Sequence, residues 1–119
     1  MTASGAALPG WIKICGMTDR EAVAAALEAG ADAIGFVFAP SVRRVLPEMA
    51  AQLAAPARGR ARCVAVTRHP DAATVQQILG QFAPDMLQSD AADFATLDFA
   101  AGCELLPVYP SGQAGAGQK

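Results

Sequence analysis

The chain alternates short apolar segments with amphipathic stretches along most of its length. The apolar segments lie about 20 to 30 residues apart and have the lengths and residue types typical of buried strands. We expect strands at Trp11–Cys15, Ala33–Phe38, Cys63–Val66, Met86–Gln88 and Glu104–Val108.

Helical signals fill the intervals between these segments. Thr18 and Glu21 have the spacing of a capping box, and Gly30 is a stop signal. The first helix is therefore expected between Thr18 and Gly30. The second helix is expected to begin at Pro47, because the fixed φ of proline suits a first helical position, and to end at Pro56. The remaining intervals predict helices over Asp71–Phe82 and Ala91–Leu97.

Strands that alternate with helices predict an α/β fold with a parallel sheet, since parallel neighbours need a long crossover. The nearly all-apolar run Ala33–Phe38 is typical of a strand covered on both faces. One architecture is an open, doubly wound, flavodoxin-like sheet of five strands, which would be complete at this length. The other is a (βα)8 TIM-type barrel, which needs about 200 residues or more and would be incomplete, with about four and a half βα units. Periodicity alone leaves both open.

The expected domain spans residues 11–109, with a flexible N-terminus at 1–10 and a frayed tail or truncation point at 110–119. A net charge of −2 and a pI near 5.2 give no basic surface for nucleic acid or anionic membranes. No apolar stretch is long enough to cross a bilayer. The three cysteines, Cys15, Cys63 and Cys103, are odd in number and far apart, which argues against disulfides and zinc knuckles and favours the cytoplasm.

Cys15 ends the first predicted strand and is the strongest candidate for chemistry. Side chains alternate along a strand, so Lys13 shares its face, and a nearby ammonium and a helix N-terminus both stabilise a thiolate. A thiolate can act as a base or a nucleophile. The alternative is that Cys15 is a small buried apolar residue, which is the role we expect for Cys63 and Cys103.

Arg43 and Arg44 follow the second strand, where parallel α/β folds bind ligands at the carboxyl ends of strands. A guanidinium suits a carboxylate or a phosphate, so an arginine that points inward would indicate an anionic small-molecule ligand. The alternative is a pair of solvated surface arginines.

Three segments together resemble the phosphoribosylanthranilate isomerase family of tryptophan biosynthesis: Lys13–Thr18, Glu28–Phe38 and Ser41–Glu48. The resemblance covers about the first half of that family's barrel. It implies an Amadori rearrangement of phosphoribosylanthranilate, an anionic small molecule, without a cofactor or a metal. It also implies that Cys15 is the general base and that Arg43 contacts the anthranilate carboxylate. Lys13, in the substrate site, would then tune the thiol rather than touch the substrate.

The chain departs from the family at the end of the fourth strand, where Gln88–Ala91 replaces the usual Gln-Leu-His-Gly. Asp90 therefore either lines the substrate pocket or caps the next helix, and we favour the cap. The family's general acid lies on a sixth strand and its phosphate-binding loops follow the seventh and eighth, so we expect these 119 residues to be inactive alone. The open edge of a half barrel further predicts self-association. The alternative function is that of a flavodoxin-like binding module without catalysis.

Overall fold

The computed structural model describes residues 11–96 and 103–109. The predictions for residues 1–10, Leu97 and 110–119 lie outside this part of the chain. Within these residues, nine regular elements and one short 3-10 turn follow one another: β1 (Lys13–Cys15), α1 (Arg20–Glu28), β2 (Ala33–Val37), α2 (Pro47–Ala54), the 3-10 turn (Ala55–Ala57), β3 (Arg62–Val66), α3 (Ala72–Gln81), β4 (Met86–Asp90), α4 (Ala91–Thr96) and β5 (Glu104–Val108).

The helix boundaries follow local capping chemistry. Asp19, and not Thr18 as predicted, caps α1, because its carboxylate accepts a hydrogen bond of 2.8 Å from the amide of Ala22. Gly30 adopts a φ of 86° directly after the helix, as its predicted stop role requires. Pro47 is the first residue of α2, as expected, but the helix passes into the 3-10 turn before Pro56.

The five strands form one parallel sheet in the order β1-β2-β3-β4-β5. A doubly wound sheet reverses its strand order part-way, so the flavodoxin-like alternative is wrong. Because each strand is added on the same side by a right-handed crossover, the helices all pack on one face of the sheet. The incomplete barrel is the architecture that this order fits.

Alternate residues of the strands divide the apolar core between the two faces. On the helix side, Phe36 packs edge-on against Phe82 with ring centroids 5.2 Å apart. A second cluster lies on the opposite face and contains Ala33, Val64, Met86 and Leu106, with Trp11 and Val66 packed against it. The apolar run of β2 is therefore buried on both faces, but helices cover only one of them. We call the other face the lumen face.

The sheet curls toward the lumen face. The Nζ atom of Lys13 on β1 donates a hydrogen bond to Oε1 of Gln88 on β4, although β2 and β3 lie between these strands. Three strand spacings in a flat sheet amount to about 14 Å, and side chains stand roughly perpendicular to a sheet. The contact therefore requires the curvature of a barrel wall.

Two aspartates clamp the amino end of the sheet in the same way. Asp32 precedes β2, and its Oδ2 accepts a hydrogen bond of 2.8 Å from the amide of Ile12, just before β1. Asp85 precedes β4, and its Oδ2 accepts a hydrogen bond of 2.8 Å from the amide of Cys63 in β3.

No helix in the described part of the chain is long and apolar enough to span a membrane.

Candidate functional site

The carboxyl ends of the strands form a mouth that begins with Cys15. Its free thiol is exposed, which contradicts the alternative of a small buried residue. Gly35 is its register partner on β2, and a Cβ at Gly35 would lie 2.9 Å from Sγ of Cys15 and 3.3 Å from Cγ2 of Val66. The missing side chain of Gly35 therefore makes the space in which the thiol lies.

The other two cysteines have the packing role that we expected. Cys63 is fully buried on the helix side of the sheet, and burial raises the pKa of its thiol. Cys103 is half-buried against the same core, and burial raises its pKa as well. Both thiols therefore favour the neutral form, which is a weak base and a weak nucleophile.

Lys13 lies on the lumen face, two residues before Cys15. It is half-buried, and its ammonium donates to the side-chain oxygen of Gln88. This hydrogen bond partly compensates for the loss of hydration of a lysine inside a barrel wall. The lysine and the thiol thus share one face, as strand alternation predicted.

Arg43 lies directly against the residue that follows Cys15. A Cβ at Gly16 would lie 2.8 Å from Cδ of Arg43 and 3.1 Å from its Nη1, and Gly16 has a φ of 86° that favours glycine. Ser41 shapes this loop, because its hydroxyl accepts a hydrogen bond of 3.0 Å from the amide of Arg43. The structure thus brings the guanidinium of Arg43 to the end of β1.

Arg44 points elsewhere. It lines a cavity of about 240 Å³ between the loops that follow β2 and β3, together with Arg68 and His69. The backbone of Arg44 forms an isolated parallel β-bridge with Val37, the last residue of β2. Of the two adjacent arginines, Arg43 is therefore the one whose side chain lies against Gly16, the residue after Cys15.

Asp90 ends β4, and its carboxylate faces the loop after β3. Its Oδ2 lies 3.3 Å from Nε2 of His69 and 3.8 Å from Nε of Arg68. This places a carboxylate and an imidazole together at the mouth. Pocket lining and helix capping by Asp90 both stay predictions.

The histidine of this cluster and its buried partner were missed by the sequence reasoning. The amide of His69 donates to Oδ2 of Asp93 at 2.9 Å, and its ring Nδ1 lies 2.8 Å from Oδ1 of the same carboxylate. Asp93 lies in the first turn of α4, is 8% exposed, and also accepts a hydrogen bond from the hydroxyl of Ser89. His69 follows a strand, just as Arg43 does, and that position was the available signal.

The electrostatics of Asp93 follow from these contacts. Burial alone would raise its pKa, but hydrogen bonds from Ser89 and from the side chain and backbone of His69 outweigh burial, and the pKa lies below its ordinary value. The donor atoms of His69, Asp90 and Asp93 lie within 4.8 Å of one another, so by residue type they could hold a divalent cation. In this structure they bind one another instead.

The arrangement matches known proteins over most of the described chain. Residues 12–104 match the family model for N-(5'phosphoribosyl)anthranilate (PRA) isomerase. The N-(5'-phosphoribosyl)anthranilate isomerase of Brucella canis is 53% identical over 78 residues, which cover 65% of this chain and 35% of that relative.

Solved structures agree with this match. The phosphoribosyl anthranilate isomerase of Thermus thermophilus superposes with a TM-score of 0.69 at 27% identity, over 86% of this chain and 52% of that one. A phosphoribosyl anthranilate isomerase in complex with reduced 1-(o-carboxyphenylamino)-1-deoxyribulose 5-phosphate superposes with a TM-score of 0.63 at 30% identity, over 67% of this chain and 42% of that one. The chain thus spans about a third to a half of the length of these relatives. It belongs to the N-(5'-phosphoribosyl)anthranilate isomerase family.

Proposed function

We propose that this chain carries the general-base half of a phosphoribosylanthranilate isomerase site. The observation that carries the proposal is the exposed thiol of Cys15 at the carboxyl end of a family barrel, with the side chain of Arg43 against the next residue, Gly16. The substrate is an anion with a carboxylate and a phosphate. The ligand of the related complex, a reduced form of the product, has the same two groups.

The reaction opens the ribose ring and moves a proton. A general acid protonates the ring oxygen as its bond to C1′ breaks, and the anilino nitrogen supplies the electrons for a protonated imine. The thiolate of Cys15 then removes the proton from C2′, and the electrons of that C–H bond form the C1′–C2′ double bond of an enolamine. Tautomerisation of the enolamine yields the ketose. Positioned proton transfer of this kind contributes about 10²- to 10⁴-fold per group.

Three further residues serve this step in the proposal. Arg43 binds the anthranilate carboxylate, for which a planar guanidinium is suited. Lys13, held by Gln88, places a positive charge on the lumen face that Cys15 shares, beside the substrate. Asp90 lines the mouth and accepts a hydrogen bond from a substrate hydroxyl.

We further propose that the 119 residues have no turnover by themselves, since the family's general acid and phosphate loops belong to later strands. The strands β1 and β5 are the two ends of the sheet, and an unpaired strand edge invites another chain. The isolated chain is therefore expected to self-associate, which size-exclusion chromatography checks. Its free cysteines suit a reducing cytoplasm.

The test is complementation of a tryptophan auxotroph deficient in this isomerase. The chain is joined to the remaining βα units of the Brucella canis relative, which is 53% identical over the matched part. Growth is expected, and Cys15→Ala should lower kcat/KM by about 10²- to 10⁴-fold. The matched control is Cys103→Ser, at a half-buried thiol that the mechanism does not use. Full activity after Cys15→Ala would contradict the proposal.

A further inference from the structure

His69 has a backbone conformation that its surroundings impose. Its φ of 50° lies in the left-handed region, which residues other than glycine rarely adopt. Such strain persists where neighbouring contacts over-determine a residue, and it concentrates at functional sites. Here both the amide and the ring Nδ1 of His69 are held by the carboxylate of Asp93.

Asp93, which holds His69, is itself fixed by a further contact. Asp93 is buried in the first turn of α4, and the hydroxyl of Ser89 donates to its Oδ2. With Nδ1 facing one carboxylate, Nε2 of the ring faces a second, since it lies 3.3 Å from Oδ2 of Asp90. The imidazole ring therefore lies between the two carboxylates, with one ring nitrogen toward Asp93 and the other toward Asp90.

Asp90 lies at the same height in the barrel as Cys15. The hydrogen bond between Lys13 and Gln88 joins β1 and β4 on the lumen face. Two residues further along each strand, Cys15 and Asp90 point to the same face by alternation and lie one layer nearer the mouth. The carboxylate that His69 holds is thus in the layer of the thiol.

We propose that His69 is a positioning residue, which orients the Asp90 carboxylate to accept a hydrogen bond from a ribose hydroxyl of the substrate. The inference rests on the proposed function, because the ligand is the same anionic ribose derivative. Other charges face the cluster: Arg68 lies 3.8 Å from Asp90, and Arg44 and Asp71 line the cavity beside His69. In this proposal Asp93 holds His69, His69 orients Asp90, and Asp90 contacts the substrate.

The experiment uses the joined barrel of the complementation test, because the phosphate loops of the family belong to later strands. The ring signals of His69 in its nitrogen-15 NMR spectrum are those that His69→Gln lacks. Reduced 1-(o-carboxyphenylamino)-1-deoxyribulose 5-phosphate is titrated into this barrel, and its Kd is measured. We expect the His69 ring signals to shift on binding, and in His69→Ala the Kd should rise about tenfold.

Coupling separates positioning from general damage to the fold. If His69 acts through Asp90, Asp90→Asn should raise the Kd about as much as His69→Ala, and the double variant should raise it no further. His69→Gln, which keeps one donor, should recover part of the affinity and serves as the measurement if His69→Ala fails to fold. Glu28→Gln, on the exposed face of α1, is the charge-matched control and should bind normally.

The other outcomes test the inference about His69 separately from the proposed function. Normal binding by His69→Ala, or fully additive effects of His69→Ala and Asp90→Asn, would overturn the inference and leave the proposed function intact. Absence of binding by an unaltered joined barrel that supports growth would also overturn the inference. The complementation test judges the proposed function independently, because it measures growth and not affinity.

Discussion

The two ends of the sheet use polar side chains in opposite ways. At the amino end, Asp32 and Asp85 bind backbone amides, and Arg62 forms an ion pair with Glu104. At the carboxyl end, the thiol of Cys15 is exposed and His69 is strained. The amino end thus uses its polar groups in backbone hydrogen bonds and an ion pair, whereas the mouth leaves a thiol open to solvent. In (βα)8 barrels the carboxyl end of the strands is where the sites lie.

The largest effect on the mouth should come from Gly35→Ala. The added methyl would lie 2.9 Å from Sγ of Cys15 and 3.3 Å from Val66, so the thiol and the strands must move. We expect a loss of about 1–3 kcal/mol in the free energy of unfolding, together with a changed rate of thiol alkylation at Cys15. Chemical denaturation and peptide mapping by mass spectrometry measure these two quantities. Gly80→Ala, where an added Cβ meets open space, is the matched control.

At the amino end, Asp85→Ala should lower stability without altering the mouth. It removes the acceptor of the amide of Cys63, a fully buried residue, and an unsatisfied buried donor costs about 1–3 kcal/mol. The alkylation rate of Cys15 in the folded state should stay unchanged. Asp32→Ala should cost less, because the amide of Ile12 is more exposed and water can replace the carboxylate. A changed alkylation rate in Asp85→Ala would contradict the separation of the two ends.

The smallest effect is the acid dependence contributed by Asp93 at the mouth. Its pKa is lowered in the folded state from a reference of 3.8, so its ionised form stabilises the fold above about pH 4, and this contribution disappears as the pH falls through the lowered pKa. Asp93→Asn should therefore be less stable near neutrality and should show a flatter decline in stability between about pH 5 and pH 2. Urea denaturation at a series of pH values measures both. Parallel declines in the two proteins would contradict this assignment.

Much of the fold was predictable from local patterns, and the exceptions have physical causes. The five strands of the described residues overlap the predicted apolar segments, with ends that differ by up to two residues. The fourth strand extends to Asp90, because β5 pairs with it along its whole length. The cap of α1 was misplaced by one residue, since Thr18 and Asp19 are both good capping residues and only the three-dimensional structure selects one. Strand order is a property of tertiary packing, so the choice between an open sheet and a barrel required the structure.

The candidate site also contains residues that local patterns predict and contacts that only tertiary packing sets. Cys15 and Arg43 were identifiable because Cys15 ends a strand, Arg43 follows one, and both lie in family motifs. The contact between His69 and Asp93 was not, because it joins a loop to a helix 24 residues later, and no local spacing encodes it. His69, the single histidine of the chain, stands in no recognisable motif, so its role depends on contacts that only the folded chain makes.

The paired aspartate clamps have a consequence for how such chains can be recombined. The Asp32 side chain binds back to the residue before β1, while its carbonyl oxygen accepts a hydrogen bond of 2.9 Å from Arg62, the first residue of β3. Asp85 does the same between β3 and β5 through Cys63 and Glu104. The units β1–β2 and β3–β4 therefore each contain their own aspartate clamp, and the carbonyl oxygen of that aspartate binds the first residue of the next strand. Gene crossovers between β2 and β3, or after β4, would exchange whole units and keep each clamping aspartate in the same unit as the amide that it binds.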